Sequence, residues 1–124
     1  MTIIHASAAP RFDLPGLVFT GLASPSRGSS ELCTWRLAIE PGFASTESHV
    51  LDRDEVFLVL QGMIRLSPDD APLGPGDAAV VPAGAPIQVS NVGDRTAELV
   101  VAISAGFSAS AEDGTTIGTP PWAV

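Results

Sequence analysis

The sequence predicts an all-β domain folded as one barrel or sandwich, and three observations lead to that prediction. Apolar and polar residues alternate along several short segments, and no segment has helical periodicity. Glycine and proline are abundant, with 12 and 11 of 124 residues, and many of them lie between those segments, where turns are needed. The length is typical of a single domain, and an apolar content of 45% is enough to build one core.

The alternation is clearest in segment 31–40, and it predicts a strand. Successive side chains of a strand point to opposite faces, so every second residue here would share one face. The preceding segment 17–20 predicts a pairing partner, because residues 24–30 between the two are rich in Ser, Pro and Gly. The expected core face of the longer strand consists of Cys33, Trp35, Leu37 and Ile39.

Further strands follow at regular spacing, separated by turn sequences. Segments 55–60 and 63–66 are joined by Gln61 and Gly62, which predicts a β-hairpin with a tight turn. A spacing of this kind, with turn residues between strands, indicates a sandwich or a closed barrel. The remaining predicted strands are 78–82, 86–90 and 97–104.

Both ends of the chain predict irregular structure around a barrel at residues 17–110. Residues 1–16 contain Pro10 and Pro15, which disfavour strand pairing, and therefore predict an N-terminal arm lying over the domain. Residues 111–124 are rich in Gly, Thr and Pro and predict an irregular C-terminal tail. Because Trp122 is large and apolar, we expect this tail to dock on the barrel or on a partner subunit.

Charge and cysteine content exclude several classes of function. The net charge is −8 and there are only six basic residues, all arginine, so nucleic acid and anionic membranes are not expected partners. No apolar run approaches the roughly 18 residues of a membrane-spanning helix. The single Cys33 has no disulfide partner, and the N-terminus lacks the features of a signal peptide. The sequence therefore predicts a cytoplasmic protein.

Two stretches carry the residue pattern of a known family. In residues 41–62 the positions of Gly42, His49, Glu55 and Gly62 resemble the first motif of the cupin family, in which a Gly precedes a His-x-His pair, and a Glu and a second Gly follow. Residues 76–91 resemble the second motif, with Gly76, Pro82, Gly84 and Asn91 at the family spacing and Ile87 in place of its His.

The resemblance implies a fold, a quaternary state and a pocket. Cupins are conical barrels or jelly rolls, commonly dimeric, with a pocket in the barrel mouth. We therefore expect a cupin-type jelly roll that forms a homodimer and binds a small-molecule ligand or substrate. The strand pattern agrees with this fold independently of the motifs.

The resemblance also implies a metal site, and most of its ligands are absent. Cupins hold a divalent transition metal with three His and one Glu, whereas this chain contains only His5 and His49. The family's His-x-His pair would fall on His49 and Leu51 or, in the other register, on Ser48 and Val50. We therefore expect no metal cofactor. The alternative is a divalent transition metal held by the reduced set Glu47, His49 and Glu55.

The replacements predict an apolar pocket with two polar groups. Arg36 is one of its expected members, and its side chain either neutralises Glu55 inside the barrel or extends to the surface. The other polar groups, His49 and Glu55, are the candidate catalytic residues. The expected pocket residues are Arg36, His49, Leu51, Glu55, Phe57, Ile87 and Val89.

Three functions are compatible with this pocket. The first is binding of a small, largely apolar molecule without the family metal. The second is an enzyme of the isomerase, cyclase or lyase type that uses His49 and Glu55 as an acid–base pair. The third is a metal-dependent, dioxygenase-like cupin with the reduced ligand set. The residues alone leave open whether the protein is an enzyme.

Overall fold

The computed structural model describes residues 1–124 as two packed antiparallel sheets of six strands each. The first sheet has the order β1 (Arg11–Leu14), β2 (Leu17–Gly21), β3 (Leu32–Ile39), β10 (Ala97–Ser104), β5 (Glu55–Gln61) and β8 (Ala78–Val81). The second has the order β12 (Thr116–Gly118), β11 (Ala109–Ala111), β4 (His49–Leu51), β9 (Pro86–Asn91), β6 (Ile64–Ser67) and β7 (Asp69–Leu73).

This architecture is a double-sheet jelly roll, which confirms the predicted all-β fold. The only helical segments are three single 3₁₀ turns, at Ala6–Ala8, Pro25–Arg27 and Pro121–Ala123. No helix has the length and apolar character that crossing a membrane requires.

The core lies between the sheets and follows the alternation of the strands. On β3 the four residues predicted to face the core are buried, and the residues between them are exposed or half-buried. Strand β3 pairs along its whole length with β10, from Leu32 opposite Ser104 to Ile39 opposite Ala97. Strand β2 pairs with the other edge of β3, as the sequence predicted.

The predicted hairpin between segments 55–60 and 63–66 is wrong. Both strands form, but β5 belongs to the first sheet and β6 to the second, so they do not pair. The chain crosses between the sheets at Gly62, which has a φ of 83°. A Cβ atom there would lie 2.8 Å from the Cα atom of Ala97. Glycine is therefore needed for a crossover packed against β10 and not for a hairpin turn.

Regular structure also extends into both predicted irregular ends. Strand β1 lies within residues 1–16, where it pairs with β2 between Pro10 and Pro15 rather than being blocked by them. Strand β12 lies within residues 111–124 and pairs with β11. The tail then docks on its own barrel, where Trp122 stacks on Phe19 with 3.7 Å between ring centroids. The predicted homodimer stays a prediction.

Candidate functional site

A cavity of about 340 Å³ lies between the two sheets and is predominantly apolar. Hydrophobic residues make up 14 of the 18 that line it. Two of these, Leu14 on β1 and Ile117 on β12, are largely exposed, so the cavity opens to solvent between these two edge strands. The candidate site therefore opens at one pair of sheet edges, and its size is typical of a small-molecule pocket.

The structure brings six of the seven predicted pocket residues to this cavity. Strand β4 contributes His49 and Leu51, which share a face because they are two residues apart. Strand β9 places Ile87 directly opposite His49. The six residues are His49, Leu51, Glu55, Phe57, Ile87 and Val89.

Glu55 is the most unusual polar group of the cavity. It begins β5, points to the core face of the first sheet, and is only 3% exposed. Its Oε2 atom is buried without a hydrogen-bond partner. Burial disfavours the charged carboxylate and raises the pKa of Glu55 to about 8. At neutral pH the side chain is therefore mainly a neutral acid that can donate a hydrogen bond.

His49 lines the same cavity in a less enclosed position. Its side chain is half-buried, and desolvation lowers its pKa below the ordinary value of 6.5. The imidazole is therefore neutral at pH 7 and can accept a proton. No ion pair joins His49 to Glu55. Each ion pair of the structure is formed by an arginine with an aspartate or a glutamate. The two candidate catalytic groups thus share a cavity without being paired to each other.

Arg36 is the one predicted pocket residue that lies elsewhere. It sits on the outer face of β3, where its Nη2 atom donates to Oε2 of Glu98 on β10 at 2.6 Å. Both side chains are more than a third exposed, so this ion pair contributes little to stability. The prediction that Arg36 lines the pocket is therefore wrong, and Glu55 has no cationic partner.

The pocket has an aromatic wall that the sequence motifs do not predict. Five of the seven aromatic residues of the chain line the cavity, from strands of the first sheet, a loop and the tail. The sequence predicts Trp35 only as a core residue, and it predicts that the tail with Trp122 docks on the barrel or on a partner subunit. The alternation of segment 31–40 was a usable signal for Trp35, because its face is the cavity face. The five are Phe19, Trp35, Phe57, Phe107 and Trp122.

The donor set does not fit the divalent metal that the family resemblance implies. Leu51 and Ile87, at two of the family's ligand positions, are buried and apolar. Glu47 is exposed and does not line the cavity, so the reduced set with His49 and Glu55 is not assembled. The structure contains no cluster of three His, Cys, Asp or Glu side chains arranged to hold a metal ion.

Asn91, the last residue of the second motif, has a structural role. Its buried Nδ2 group donates to the carbonyl oxygens of Ile39 at 2.9 Å and Arg95 at 2.8 Å. Its Oδ1 atom accepts from the N–H group of Gly93 at 2.9 Å. Asn91 therefore ties the end of β9 to β3 and to the following turn, and it does not line the cavity.

A second depression of about 400 Å³ lies at the opposite pair of sheet edges, β7 and β8. Asp69 is the only titratable residue that lines it, and Asp69 is exposed and bonded to the N–H group of Ala71. This depression contains no buried unpartnered polar atom. The chemistry of the protein is therefore concentrated in the cavity that holds Glu55.

Comparisons with known proteins agree with the fold. The cupin domain model matches residues 35–103. The structure resembles the polyketide cyclase RemF from Streptomyces resistomycificus with a TM-score of 0.75 at 16% identity, over 98% of this chain and 88% of that one. It resembles a cupin-superfamily sugar phosphate isomerase from Silicibacter pomeroyi with a TM-score of 0.68 at 28% identity, over 80% and 67%.

A third solved structure, KdgF from Halomonas sp., has a TM-score of 0.69 at 19% identity, over 84% of this chain and 93% of that one. By sequence, no curated protein matches the chain. At such low identity the structural similarity concerns the fold. A function has to be inferred from the residues that line the cavity.

Proposed function

This chain belongs to the cupin family, and from that membership we propose that it binds a small, largely apolar molecule in the cavity between its sheets, without the family's metal. The observation that carries the proposal is the replacement of two family ligand positions by Leu51 and Ile87, both of which line the cavity. Two imidazoles at these positions would make the centre of the cavity polar, and the two aliphatic side chains make it apolar.

The charge of the cavity argues against a phosphorylated or otherwise strongly anionic ligand. None of the six arginines lines it, and the chain has no lysine. The solved isomerase from Silicibacter pomeroyi is named for a sugar phosphate, and recognition of a phosphate ordinarily uses arginine, lysine or a cluster of N–H groups. A neutral, mainly hydrocarbon ligand matches these surroundings better.

Binding is tested by thermal unfolding and calorimetry with a panel of one- to three-ring apolar compounds. A ligand at about 100 times its Kd stabilises the folded protein by about 2.7 kcal/mol, which raises the Tm by several degrees. Leu51→Trp should fill the cavity and abolish this rise. Leu58→Trp places the same side chain at an exposed position of β5 that does not line the cavity, and should leave binding unchanged. Absence of binding by the unmodified protein across the panel would count against the proposal.

Acid–base catalysis is the second candidate, favoured by two uncharged titratable groups in one cavity. In this scheme neutral His49 takes a proton from a carbon beside a carbonyl group of the ligand. Glu55 gives its proton to the carbonyl oxygen, which yields an enol. In an isomerisation the imidazolium of His49 then gives its proton to another carbon of the conjugated enol, and the enol hydroxyl returns its proton to Glu55. In a cyclisation the enol carbon instead attacks a second carbonyl group of the ligand, the enol hydroxyl returns its proton to Glu55, and the imidazolium protonates the new alkoxide. RemF, one of the structural neighbours, is named as a polyketide cyclase.

Acid–base catalysis makes a prediction about Glu55 and His49 that ligand binding alone does not make. For a carbonyl compound that the protein converts, Glu55→Gln and His49→Gln should each lower kcat by roughly 10²- to 10⁴-fold, whereas the compound should still bind. The rate should also fall above about pH 8 as Glu55 ionises, and the Gln variant should lose that dependence. Turnover that survives both substitutions unchanged would contradict the scheme and leave ligand binding intact as the function.

A further inference from the structure

Two tryptophans that line the cavity carry buried hydrogen-bond donors that nothing in the protein satisfies. The Nε1–H groups of Trp35 and Trp122 are buried and have no acceptor. Both side chains line the cavity. Buried polar groups are satisfied in the great majority of native structures, so two such donors on one cavity call for an explanation.

From this pair we infer that Trp35 and Trp122 are the specificity-determining residues of the site, and that they select a flat aromatic ligand by donating hydrogen bonds to two of its oxygen atoms. The inference rests on the proposed binding function and adds to it the chemical class of the ligand. It concerns a neutral aromatic ketone, ether or phenol rather than a pure hydrocarbon.

Trp35 is held firmly enough to direct its donor. Its ring is 4% exposed, on the central strand β3, and stacks on Phe107 with 6.0 Å between ring centroids. It also meets Trp122 edge-on at 6.4 Å. An indole clamped in this way loses little further conformational entropy when a ligand accepts its hydrogen bond.

Trp122 is held in place by its own backbone and by its neighbours. Its carbonyl oxygen accepts from Nη2 of Arg27 at 2.7 Å. The next carbonyl oxygen, of Ala123, accepts from the thiol of Cys33 at 3.4 Å. The ring lies flat on Phe19, with an interplanar angle of 10°. The tail therefore holds the second indole ring in a defined position in the cavity wall.

The remaining walls indicate the shape of the ligand. Five of the chain's seven aromatic side chains surround the cavity, and aromatic rings pack most favourably on other aromatic rings in stacked or edge-on arrangements. Glu55 adds a third unpartnered polar group, which is an additional donor while it carries its proton. A site with several donors and few acceptors favours ligand oxygens that accept, as carbonyl and ring-ether oxygens do.

The test compares two flat two-ring probes, chromone and naphthalene, by calorimetry and by intrinsic fluorescence. Chromone carries a carbonyl and a ring oxygen, whereas naphthalene has the same outline without an acceptor. Because Trp35 and Trp122 are the only tryptophans, all indole fluorescence comes from the cavity walls. We expect the unmodified protein to bind chromone at least tenfold more tightly than naphthalene.

Trp35→Phe and Trp122→Phe keep an aromatic wall and remove one N–H donor each. Each should weaken chromone binding roughly three- to tenfold, the usual worth of one hydrogen bond, and leave naphthalene within about twofold. Glu98→Gln, on the outer face, is the control and should change neither affinity. Thermal unfolding of each variant shows whether it is folded.

A second measurement uses the unmodified protein and so does not depend on the folding of a variant. Its two indole N–H signals in the NMR spectrum should both move to higher proton frequency with chromone, and should not both do so with naphthalene.

The possible failures are distinguishable. Equal binding of the two probes, with no selective effect of either Trp→Phe variant, overturns this inference and leaves the proposed binding of an apolar molecule standing. Failure of both probes, together with the rest of the apolar panel, overturns the inference and the proposed function together.

Discussion

His49 on β4 lies directly opposite Ile87 on β9, and both side chains line the cavity between the sheets. Residues paired in this way have Cβ atoms about 4.5–5.5 Å apart. Leu51 lies two residues after His49 on the same face and is also part of the cavity. Two aliphatic side chains therefore stand beside the one imidazole of the site, at positions where the family resemblance implies imidazoles.

The first prediction is that Leu51→His with Ile87→His creates a metal site. The double variant would combine three imidazoles with Glu55, which is a complete ligand set for a divalent transition metal. We expect about one equivalent of Zn²⁺ or Ni²⁺ to bind the variant, measured by calorimetry and by metal analysis after gel filtration. A control with Leu58→His and Val80→His, both exposed, should bind none at this stoichiometry. Tight binding of one equivalent by the unmodified protein would contradict the expectation of a metal-free cavity.

The second prediction concerns the pH dependence of stability caused by Glu55. Its pKa is about 8 in the folded protein and about 4.5 in the unfolded chain, so between these values the folded state binds more protons. The stability that this group contributes should therefore be fully present below about pH 4.5 and fall as pH rises to 8. The decline is on the order of 4 kcal/mol.

Glu55→Gln should remove that decline, as measured by urea unfolding between pH 5 and pH 9. His49 acts in the opposite direction, because its lowered pKa makes the folded protein less stable as pH falls below 6.5. The Gln variant should therefore show stability that rises toward neutral pH and then stays level. A decline that persists in the variant would mean that another group causes it.

The third prediction compares two glycines with the same backbone conformation. Gly62 and Gly76 have φ values of 83° and 87°, so alanine is strained at both positions. A Cβ atom at residue 62 would meet the backbone of Ala97 at 2.8 Å, whereas one at residue 76 would meet nothing within 4 Å. Gly76→Ala should lower the free energy of unfolding by about 1 kcal/mol.

Gly62→Ala should lower it by roughly 3 kcal/mol, because backbone displacement is added to the strain. Chemical denaturation of both variants measures the difference. Similar losses of stability at the two sites would show that the backbone near residue 62 can shift to accommodate a Cβ atom at little cost.

The fourth prediction is that Asn91→Ala destabilises the protein, although Asn91 does not line the cavity. The substitution leaves the carbonyl oxygens of Ile39 and Arg95 and the N–H group of Gly93 without their partner. We expect a loss of roughly 2–4 kcal/mol, since unsatisfied buried groups cost more than a hydrogen bond contributes. Gln88→Ala, at a half-buried position of the same strand, is the control and should cost much less. Probe affinities should be unchanged at a temperature where the variant is folded.

The strand faces were predictable because alternation is a local property of the chain. The burial of Cys33 and Trp35 and the greater exposure of the residues beside them follow from the two-residue period of a strand. The family motifs placed His49, Glu55 and Ile87 correctly in one cavity for a related reason. Each of the three lies at or next to the first residue of its strand, and all three line the same cavity.

The fold class, the faces of the main strands and the loss of the family's imidazoles were thus predictable from the amino-acid sequence. Three features became visible only in the folded chain: β5 and β6 join different sheets, Arg36 pairs with Glu98 on the outer face, and Trp122 lies on Phe19. Each of these depends on contacts between residues far apart in the chain, such as the pairing of β3 with β10. Local pattern does not specify such partners, because the same alternating strand can pair with any other of suitable length, and packing of the whole core selects one arrangement.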